Sequence, residues 1–152
     1  MTVRFEVEPF GAVLPEIEGL MQAHWREVSE PGSPPLSLDH STYAALDAAG
    51  AVLLVTARGA AGDLLGYIVH LLHRPLHYRD TLIAADDAHF LLPIARRGRT
   101  FLRMLAFAEA RLKERGVQIV RYHTKARPDL DKSRVFQAAG YRCAEHIMAK
   151  GI

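Results

Sequence analysis

The sequence predicts one α/β domain with a mixed sheet, in the order β-α-α-β-β-β-α-β-α-β. A chain of 152 residues is long enough for one domain and short for two. Two apolar runs, 51–57 and 64–72, flank a glycine-rich turn and predict a β-hairpin. The clearest helical pattern, 100–115, is followed by alternating strand and helix patterns. We therefore expect a sheet that is antiparallel early and parallel late.

Composition excludes several classes of protein. Apolar residues make up 49% of the chain and charged residues 24%, which is typical of a globular domain with a core. The formal net charge of +2 is too small to indicate nucleic-acid binding by itself. Cys143 is the single cysteine, so we expect neither an internal disulfide nor a cysteine zinc site. No signal peptide or membrane-length apolar run is found, which predicts a cytoplasmic protein.

The first elements follow from local periodicity. Residues 3–7 alternate apolar and charged side chains, which predicts a strand that Pro9 and Gly11 end. Residues 14–28 carry apolar side chains at helical spacing, opposite a polar face. Residues 38–49 form a plausible second helix. Either Asp39 or Ser37 could cap it.

The middle of the chain is rich in strand signals. The hairpin strands 51–57 and 64–72 are joined by a Gly-Ala-Ala-Gly-Asp turn. Residues 81–92 form the next predicted strand, which Pro93 closes.

The last elements alternate in type. The helix over 100–115 has Gly116 at its C-terminus, where a residue in the left-handed conformation is favoured. A strand is predicted over 117–124, a short helix over 129–139 and a final strand over 141–149.

The loop before the helix at 100–115 concentrates positive charge. Arg96, Arg97 and Arg99 lie at a helix N-terminus, where the dipole makes each added cation cost a few tenths to about 1 kcal/mol. Free backbone N–H groups also point out of that end, and Gly98 allows close approach. A bound phosphate would satisfy both the charges and the N–H groups. The alternative is a basic loop whose arginines are simply solvated.

Other phosphate motifs are absent, since neither G-x-x-x-x-G-K-[ST] nor G-x-G-x-x-G occurs. The loop instead resembles the Arg/Gln-x-x-Gly-x-Gly/Ala signature of the GNAT acetyltransferase superfamily, whose element order the chain shares over nearly its whole length. Arg96 fits the first position, Arg99 and Phe101 occupy the glycine positions, and Gly98 lies between Arg96 and Arg99. A register that begins at Ala95 places Gly98 on the first glycine and loses the leading arginine.

Two further segments carry the resemblance. The stretch Val-Phe-Gln-Ala-Ala-Gly-Tyr at 135–141 is similar to the short helix, glycine and aromatic ending of the family. His123, Thr124 and Lys125, followed by Asp129, resemble a branch of the family from bacterial and phage genomes.

The resemblance implies an N-acetyltransferase that uses acetyl-CoA and no metal. The acceptor would be a small-molecule or protein amine, and a homodimer is implied because domains of this family often pair through their last strands. Neither a membrane nor a nucleic acid is expected as a partner. The cofactor-binding residues that it implies are Leu91, Leu92, Arg96, Arg97, Gly98, Arg99, Thr100, Ser133 and Phe136.

The family's chemistry is direct attack of an amine on a thioester, so the site must accept a proton. Backbone N–H groups within 89–92 would polarise the thioester carbonyl. Phe136 stands where the family often has a tyrosine that acts as the general acid. Tyr122 or Tyr141 could take that role instead. The candidate catalytic residues are His123, His89, Asp87 and Tyr141. Asp86 is an alternative base, water could carry the proton, and Asp86 and Asp87 could instead be an ordinary strand-edge pair.

Other functions stay open at this stage. A catalytically degenerate GNAT-fold domain that binds CoA or a protein is an alternative, because the glycine motif and the tyrosine are altered. Nucleic-acid binding by the arginines is disfavoured, since interleaved exposed aromatic residues are lacking. A metal site at His70, His73 and His77 is disfavoured because their spacing crosses a strand and a proline-containing loop. In folds of this family, the segment between the first two helices normally shapes the acceptor pocket. Residues 31–41 carry few charges, which gives little support to a polycationic acceptor.

Overall fold

The computed structural model describes residues 2–152, which form a five-stranded sheet in the order β1-β2-β3-β4-β5. The strands are β1 (Arg4–Val7), β2 (Val52–Arg58), β3 (Leu64–His73), β4 (Ile83–Leu91) and β5 (Ile119–Arg121). The helices are α1 (Phe10–Val28), α2 (His40–Ala48), α3 (Thr100–Glu114) and α4 (Ser133–Ala138). Strands β1 to β4 pair antiparallel, and β5 pairs parallel to β4. The predicted mixed sheet is therefore confirmed.

Apolar side chains on both faces of the sheet build two cores. One face of the sheet, called the α1 face, is covered by α1 and α2, and the core there includes Phe10 and Tyr67. The opposite face, called the α3 face, is covered by α3 and α4, and the core there includes Ile68, Met104 and Phe136. Strand β2 is buried along its whole length because both faces are covered, which explains its continuous apolar run.

Local capping sets where the first two helices begin. The first helix starts at Phe10, four residues before its predicted start, because Pro9 is extended and precedes it instead of blocking it. The Phe10 N–H donates to the Asp47 carboxylate of α2 at 3.0 Å, which anchors this end. Asp39 caps α2 by accepting from the Thr42 N–H at 3.0 Å. Within residues 2–152, no helix is both long and apolar enough to cross a membrane.

The prediction of a final strand over 141–149 is wrong. These residues have no regular secondary structure, and Ile147 and Met148 are 72% and 91% exposed. The neighbouring edge strand β5 is only three residues long, so it offers little backbone for another strand to pair with. Alternation of side chains alone does not make a strand when no partner edge is available.

Gly66 allows β3 to lie close to the end of β4, and we predict that Gly66→Ala destabilises the fold by about 1–3 kcal/mol. An added Cβ would clash with the Phe90 carbonyl oxygen and lie 2.5 Å from Leu91 Cδ2. Gly19→Ala is the matched control, because Gly19 is exposed on α1 with open space around it. That control should raise stability by up to about 1 kcal/mol. Urea unfolding measures both, and an unchanged midpoint for Gly66→Ala would contradict the clash.

Candidate active site

Strands β4 and β5 diverge beyond their first three paired residues. Pairing covers only residues 83–85 of β4 with 119–121 of β5. The rest of β4, to Leu91, has no strand partner on that side within residues 2–152. The open edge lies at the C-terminal end of a strand that feeds a loop and a helix, where ligands tend to bind in α/β sheets.

A cavity of about 250 Å³ lies at this end of β4, between the last turns of α1 and the first turns of α3 and α4. The residues predicted from the sequence that line it are His89, Leu91, Arg96 and Gly98. Others line it without having been predicted, among them His24, Glu27, Phe101 and Lys132. A larger, more open cleft of about 570 Å³ lies beside Val52 and Arg115 and holds none of the predicted site residues.

A β-bulge in β4 arranges the side chains beside the cavity. The pairing of β4 with β3 shifts by one residue at Asp87, which has no partner of its own. Because of the extra residue, Asp86 and His89 lie on the same α3 face, although they are three apart. Regular alternation would place them on opposite faces. Bulges of this kind are over-represented next to active sites.

The Asp86 carboxylate is held between two histidines. Its Oδ2 accepts from His89 Nδ1 at 2.6 Å, and its Oδ1 accepts from His123 Nδ1 and from the His123 backbone N–H, each at 2.7 Å. Burial alone would raise the pKa of Asp86, but the hydrogen bonds and charge interactions with the histidines lower it below its ordinary value of 3.8. The carboxylate is therefore ionised at neutral pH, and it orients both rings with Nδ1 as donor.

His89 lies in an aromatic surround that opens on one side to the cavity. Its ring centre is 5.6 Å from Phe101, 6.1 Å from Tyr122 and 5.7 Å from Phe136. The side chain is only 8% exposed, and its Nε2 has no hydrogen-bond partner in the part of the chain that the structure describes. With Nδ1 donating to Asp86, the Nε2 of a neutral ring is free to accept a proton.

His123 is placed differently, although it shares the same carboxylate. Its side chain is 56% exposed and does not line the cavity. It holds Asp86 from the surface side, through both its ring and its backbone.

Asp87 and Tyr141, two other predicted catalytic residues, lie away from the cavity lining. The exposed Asp87 carboxylate accepts from the Tyr43 hydroxyl of α2. The Tyr141 hydroxyl donates to Glu109 of α3 at 2.6 Å. Burial and the Glu109 carboxylate raise the pKa of Tyr141, which makes its phenol a weaker acid.

Arg96 links β4 to α1 at the mouth of the cavity. Its Nε donates to the Leu91 carbonyl at 2.7 Å, and its Nη2 forms an ion pair with the Glu27 carboxylate of α1 at 2.6 Å. Its guanidinium also lies over the Phe90 ring, 5.3 Å from the centroid. These contacts use Arg96 to join β4 to α1, so it is less available to an anion than the sequence suggested.

The segment that follows carries exposed positive charge at the start of α3. The Arg97 and Arg99 side chains are exposed and form no ion pair or hydrogen bond with residues 2–152. Gly98 has a φ of 61° and open space around it. Helix α3, which starts at Thr100, has no side-chain cap and no acidic residue in its first turn. Its N–H groups and positive dipole end therefore lack a negative partner.

The remaining predicted cofactor contacts take up structural roles. The Leu92 N–H donates to the Leu65 carbonyl at 2.8 Å, so it is not free to polarise a thioester. The Ser133 hydroxyl donates to Asp131 at 2.5 Å. Phe136 is buried and stacks on Tyr122, with ring centres 5.0 Å apart.

His24, on the apolar stripe of α1, also borders the cavity. Its Nδ1 is 2.8 Å from the Tyr67 hydroxyl, and its ring stacks on Phe90 at 4.9 Å. Burial lowers the pKa of His24 to about 4, and the positive charge of Lys132 adds to the effect. The ring is therefore neutral at pH 7. Nothing in its sequence spacing distinguishes this residue from other members of the apolar stripe of α1.

His70 should make the stability of the fold depend on pH. It is fully buried on the α3 face, 2.9 Å from the Tyr122 hydroxyl, and burial lowers its pKa from 6.5 to about 4. Between these values the unfolded chain binds more protons, so stability falls as the pH falls, by roughly 3 kcal/mol in full.

We predict that His70→Gln, which keeps a hydrogen-bonding group for Tyr122, flattens the loss of stability between pH 7 and pH 4.5. His24 should account for the pH dependence that remains. Exposed His73, replaced by Gln, is the control and should leave the profile unchanged. Urea unfolding at both pH values measures the effect, and an equally steep profile in His70→Gln would refute it.

The three histidines considered for a metal site are not gathered together. Among residues 2–152, no group of three or more His, Cys, Asp or Glu side chains is arranged to hold a metal ion. His70 points into the α3-face core, and His73 is exposed at the end of β3.

Comparison with known proteins shows that other solved structures share this fold. No protein-family model matches the sequence, and no curated protein sequence matches it. Solved structures do. Ribosomal-protein-alanine N-acetyltransferase from Brucella melitensis biovar Abortus 2308 superposes with a TM-score of 0.75 at 12% identity, covering 100% of each chain.

Two further acetyltransferases superpose with slightly lower TM-scores. Aminoglycoside antibiotic 6'-N-acetyltransferase from Acinetobacter baumannii gives a TM-score of 0.72 at 14% identity, over 99% of this chain and 98% of the other. AAC(6')-Iy, solved with the bisubstrate analogue CoA-S-monomethyl-acetylneamine, gives 0.71 at 14% identity, over 100% and 99%. At these identities the comparisons show a shared fold.

Proposed function

Because the chain has the fold of the GNAT acetyltransferases, we propose that it transfers an acetyl group from acetyl-CoA to a primary amine. The observation that carries this proposal is a buried imidazole, His89, held by Asp86 and open to a cavity next to an uncapped, arginine-flanked helix start. His89 lies before the turn that joins β4 to α3, and the proposed anion site lies at the end of that turn.

The start of α3 suits the diphosphate of acetyl-CoA. Arg97 and Arg99 supply unpaired positive charge, Gly98 lets the backbone approach, and the helix presents free N–H groups. The pantetheine arm would then run along the open edge of β4, which β5 leaves unpaired beyond residue 85. This path would bring the thioester to the cavity that His89 lines.

In the proposed reaction, Nε2 of His89 accepts the proton of the acceptor amine as its nitrogen attacks the thioester carbonyl carbon. The carbon–sulfur bond then breaks, and the CoA thiolate leaves. His89 can return the same proton to that thiolate, so the products are an amide and CoA thiol. A second acid is not needed, which accounts for phenylalanine at position 136 and for the engagement of the Tyr141 hydroxyl by Glu109. Asp86 stabilises the imidazolium while it exists.

The test is turnover of acetyl-CoA with a panel of primary amines. The panel should include amino acids, peptides with N-terminal alanine and aminoglycosides, the last two because the structural neighbours are named for such acceptors. Release of CoA thiol, with the acetylated product identified by mass, would support the proposal. Binding of acetyl-CoA without turnover of any amine would favour the alternative, a catalytically degenerate CoA-binding domain. Absence of binding at millimolar acetyl-CoA would exclude both.

A further inference from the structure

Lys132 brings an unneutralised positive charge to the candidate cavity. Its side chain is half-buried where α4 begins, and it lines the cavity together with His89. Within residues 2–152, its ammonium group forms no ion pair and no hydrogen bond, while its backbone N–H donates to Thr124. A half-buried cation of this kind is usually paired.

The carboxylates whose charge acts on Lys132 are occupied by other groups. Glu27, on α1, is bound by Arg96 at 2.6 Å. Asp86 is only 3% exposed at its side chain and is held by His89 and His123. Arg96 adds a second positive charge to the same cavity.

The titration of Lys132 agrees with this geometry. Burial lowers its pKa below 10.5, and the charge of Arg96 lowers it further, while Glu27 and Asp86 oppose the change. The two carboxylates do not restore the ordinary value, so the pocket around the ammonium is net unfavourable to positive charge. A bound anion would make the pocket favourable to the positive charge of Lys132.

We infer that Lys132 binds a carboxylate of the acceptor, which makes small amino carboxylic acids the substrate class. The inference rests on the proposed acetyl transfer. With the carboxylate on Lys132, the amine of the same small molecule can reach Nε2 of His89, because both groups line one cavity of about 250 Å³. The surplus positive charge also disfavours the ammonium form of the acceptor, and only the neutral amine can attack. A polycationic acceptor would be repelled.

The test compares each amino acid with its own carboxamide, which keeps the amine and removes the negative charge. The ratio of kcat/KM for acid to amide is measured for the wild type, Lys132→Gln and Lys132→Glu, with Lys113→Gln as an exposed lysine control. We expect Lys132→Gln to lower the ratio by about tenfold or more, and Lys132→Glu to lower it further. Lys113→Gln should leave it unchanged. Calorimetric binding of acid and amide to the CoA-loaded protein should show the same loss of preference.

Three outcomes would overturn the inference without overturning the proposed function. If the acid-to-amide ratio of kcat/KM is the same in the wild type and in the Lys132 variants, Lys132 does not bind the carboxylate. Weakened acetyl-CoA binding in Lys132→Gln with an unchanged ratio would assign the lysine to a phosphate of the cofactor. Turnover of diamines or amides but of no amino acid would exclude the substrate class while leaving acetyl transfer intact. If acetyl-CoA neither binds nor turns over, the proposed function itself fails, and this inference fails with it.

Discussion

Replacing His89 with asparagine is expected to lower kcat by about two to four orders of magnitude while acetyl-CoA binds with nearly unchanged affinity. The asparagine amide can still donate to Asp86, so the buried carboxylate keeps a partner, but an amide cannot take up a proton. The proposed diphosphate site is formed by other residues, Arg97, Gly98 and Arg99, so we expect cofactor affinity to stay nearly unchanged. Steady-state kinetics and calorimetry separate the two effects. A melting temperature close to that of the wild type would establish that the variant folds.

His123→Ala is the matched comparison, because His123 holds the same carboxylate but does not line the cavity. Its loss should lower kcat by about tenfold or less, since His89 retains Asp86. The dependence of kcat on pH should separate the two roles: it should be the same in the wild type and in His123→Ala, and it should differ in His89→Asn. A larger defect in His123→Ala than in His89→Asn would make the exposed histidine the base, which the sequence also allowed.

The double substitution Arg97→Glu with Arg99→Glu is expected to weaken acetyl-CoA binding by about a hundredfold or more. Both arginines are unpaired at an uncapped helix start, and each charge-assisted hydrogen bond to a phosphate contributes about 1.5–3 kcal/mol. The glutamates would also repel the diphosphate. Stability should change little or increase, because carboxylates are favoured at a helix N-terminus.

Two exposed arginines elsewhere provide the control for the change in net charge. Arg79→Glu with Arg142→Glu alters the charge by the same amount, but these residues lie outside the α3 loop and the cavity. The control should bind acetyl-CoA within about threefold of the wild type at 0.15 M salt, where long-range effects are screened. Equal weakening in both double variants would mean that net charge, and not a phosphate site at Gly98, governs binding.

Much of the fold followed from patterns within single elements. The order of strands and helices up to α4, the hairpin and the helix after Gly98 could all be predicted, because periodicity is a local property. The sequence left Asp39 and Ser37 as alternative caps of α2, and the structure has Asp39. The final strand was predicted by the same reasoning and does not form. A strand needs a partner edge as well as a pattern, and β5 is too short to supply one.

The candidate site depended on relations between elements. Residues two apart share a face of a regular strand, so strict alternation would place Asp87 on the same face as His89. One extra residue in β4 reverses this, so that Asp86 faces His89 and Asp87 faces Tyr43. No residue type in the sequence marks the bulge, because the register of one strand against its neighbour decides it.

What the sequence determined by itself was a mixed sheet and a basic loop at the start of a helix, because each is encoded within a few consecutive residues. Only the tertiary structure brought His24 and Glu27 from α1 and Lys132 from the start of α4 to the end of β4. These residues are far apart in the chain. Periodicity states which side of its own element a residue occupies, whereas packing of α1 and α4 on opposite faces of the sheet decides which of them meet at one cavity.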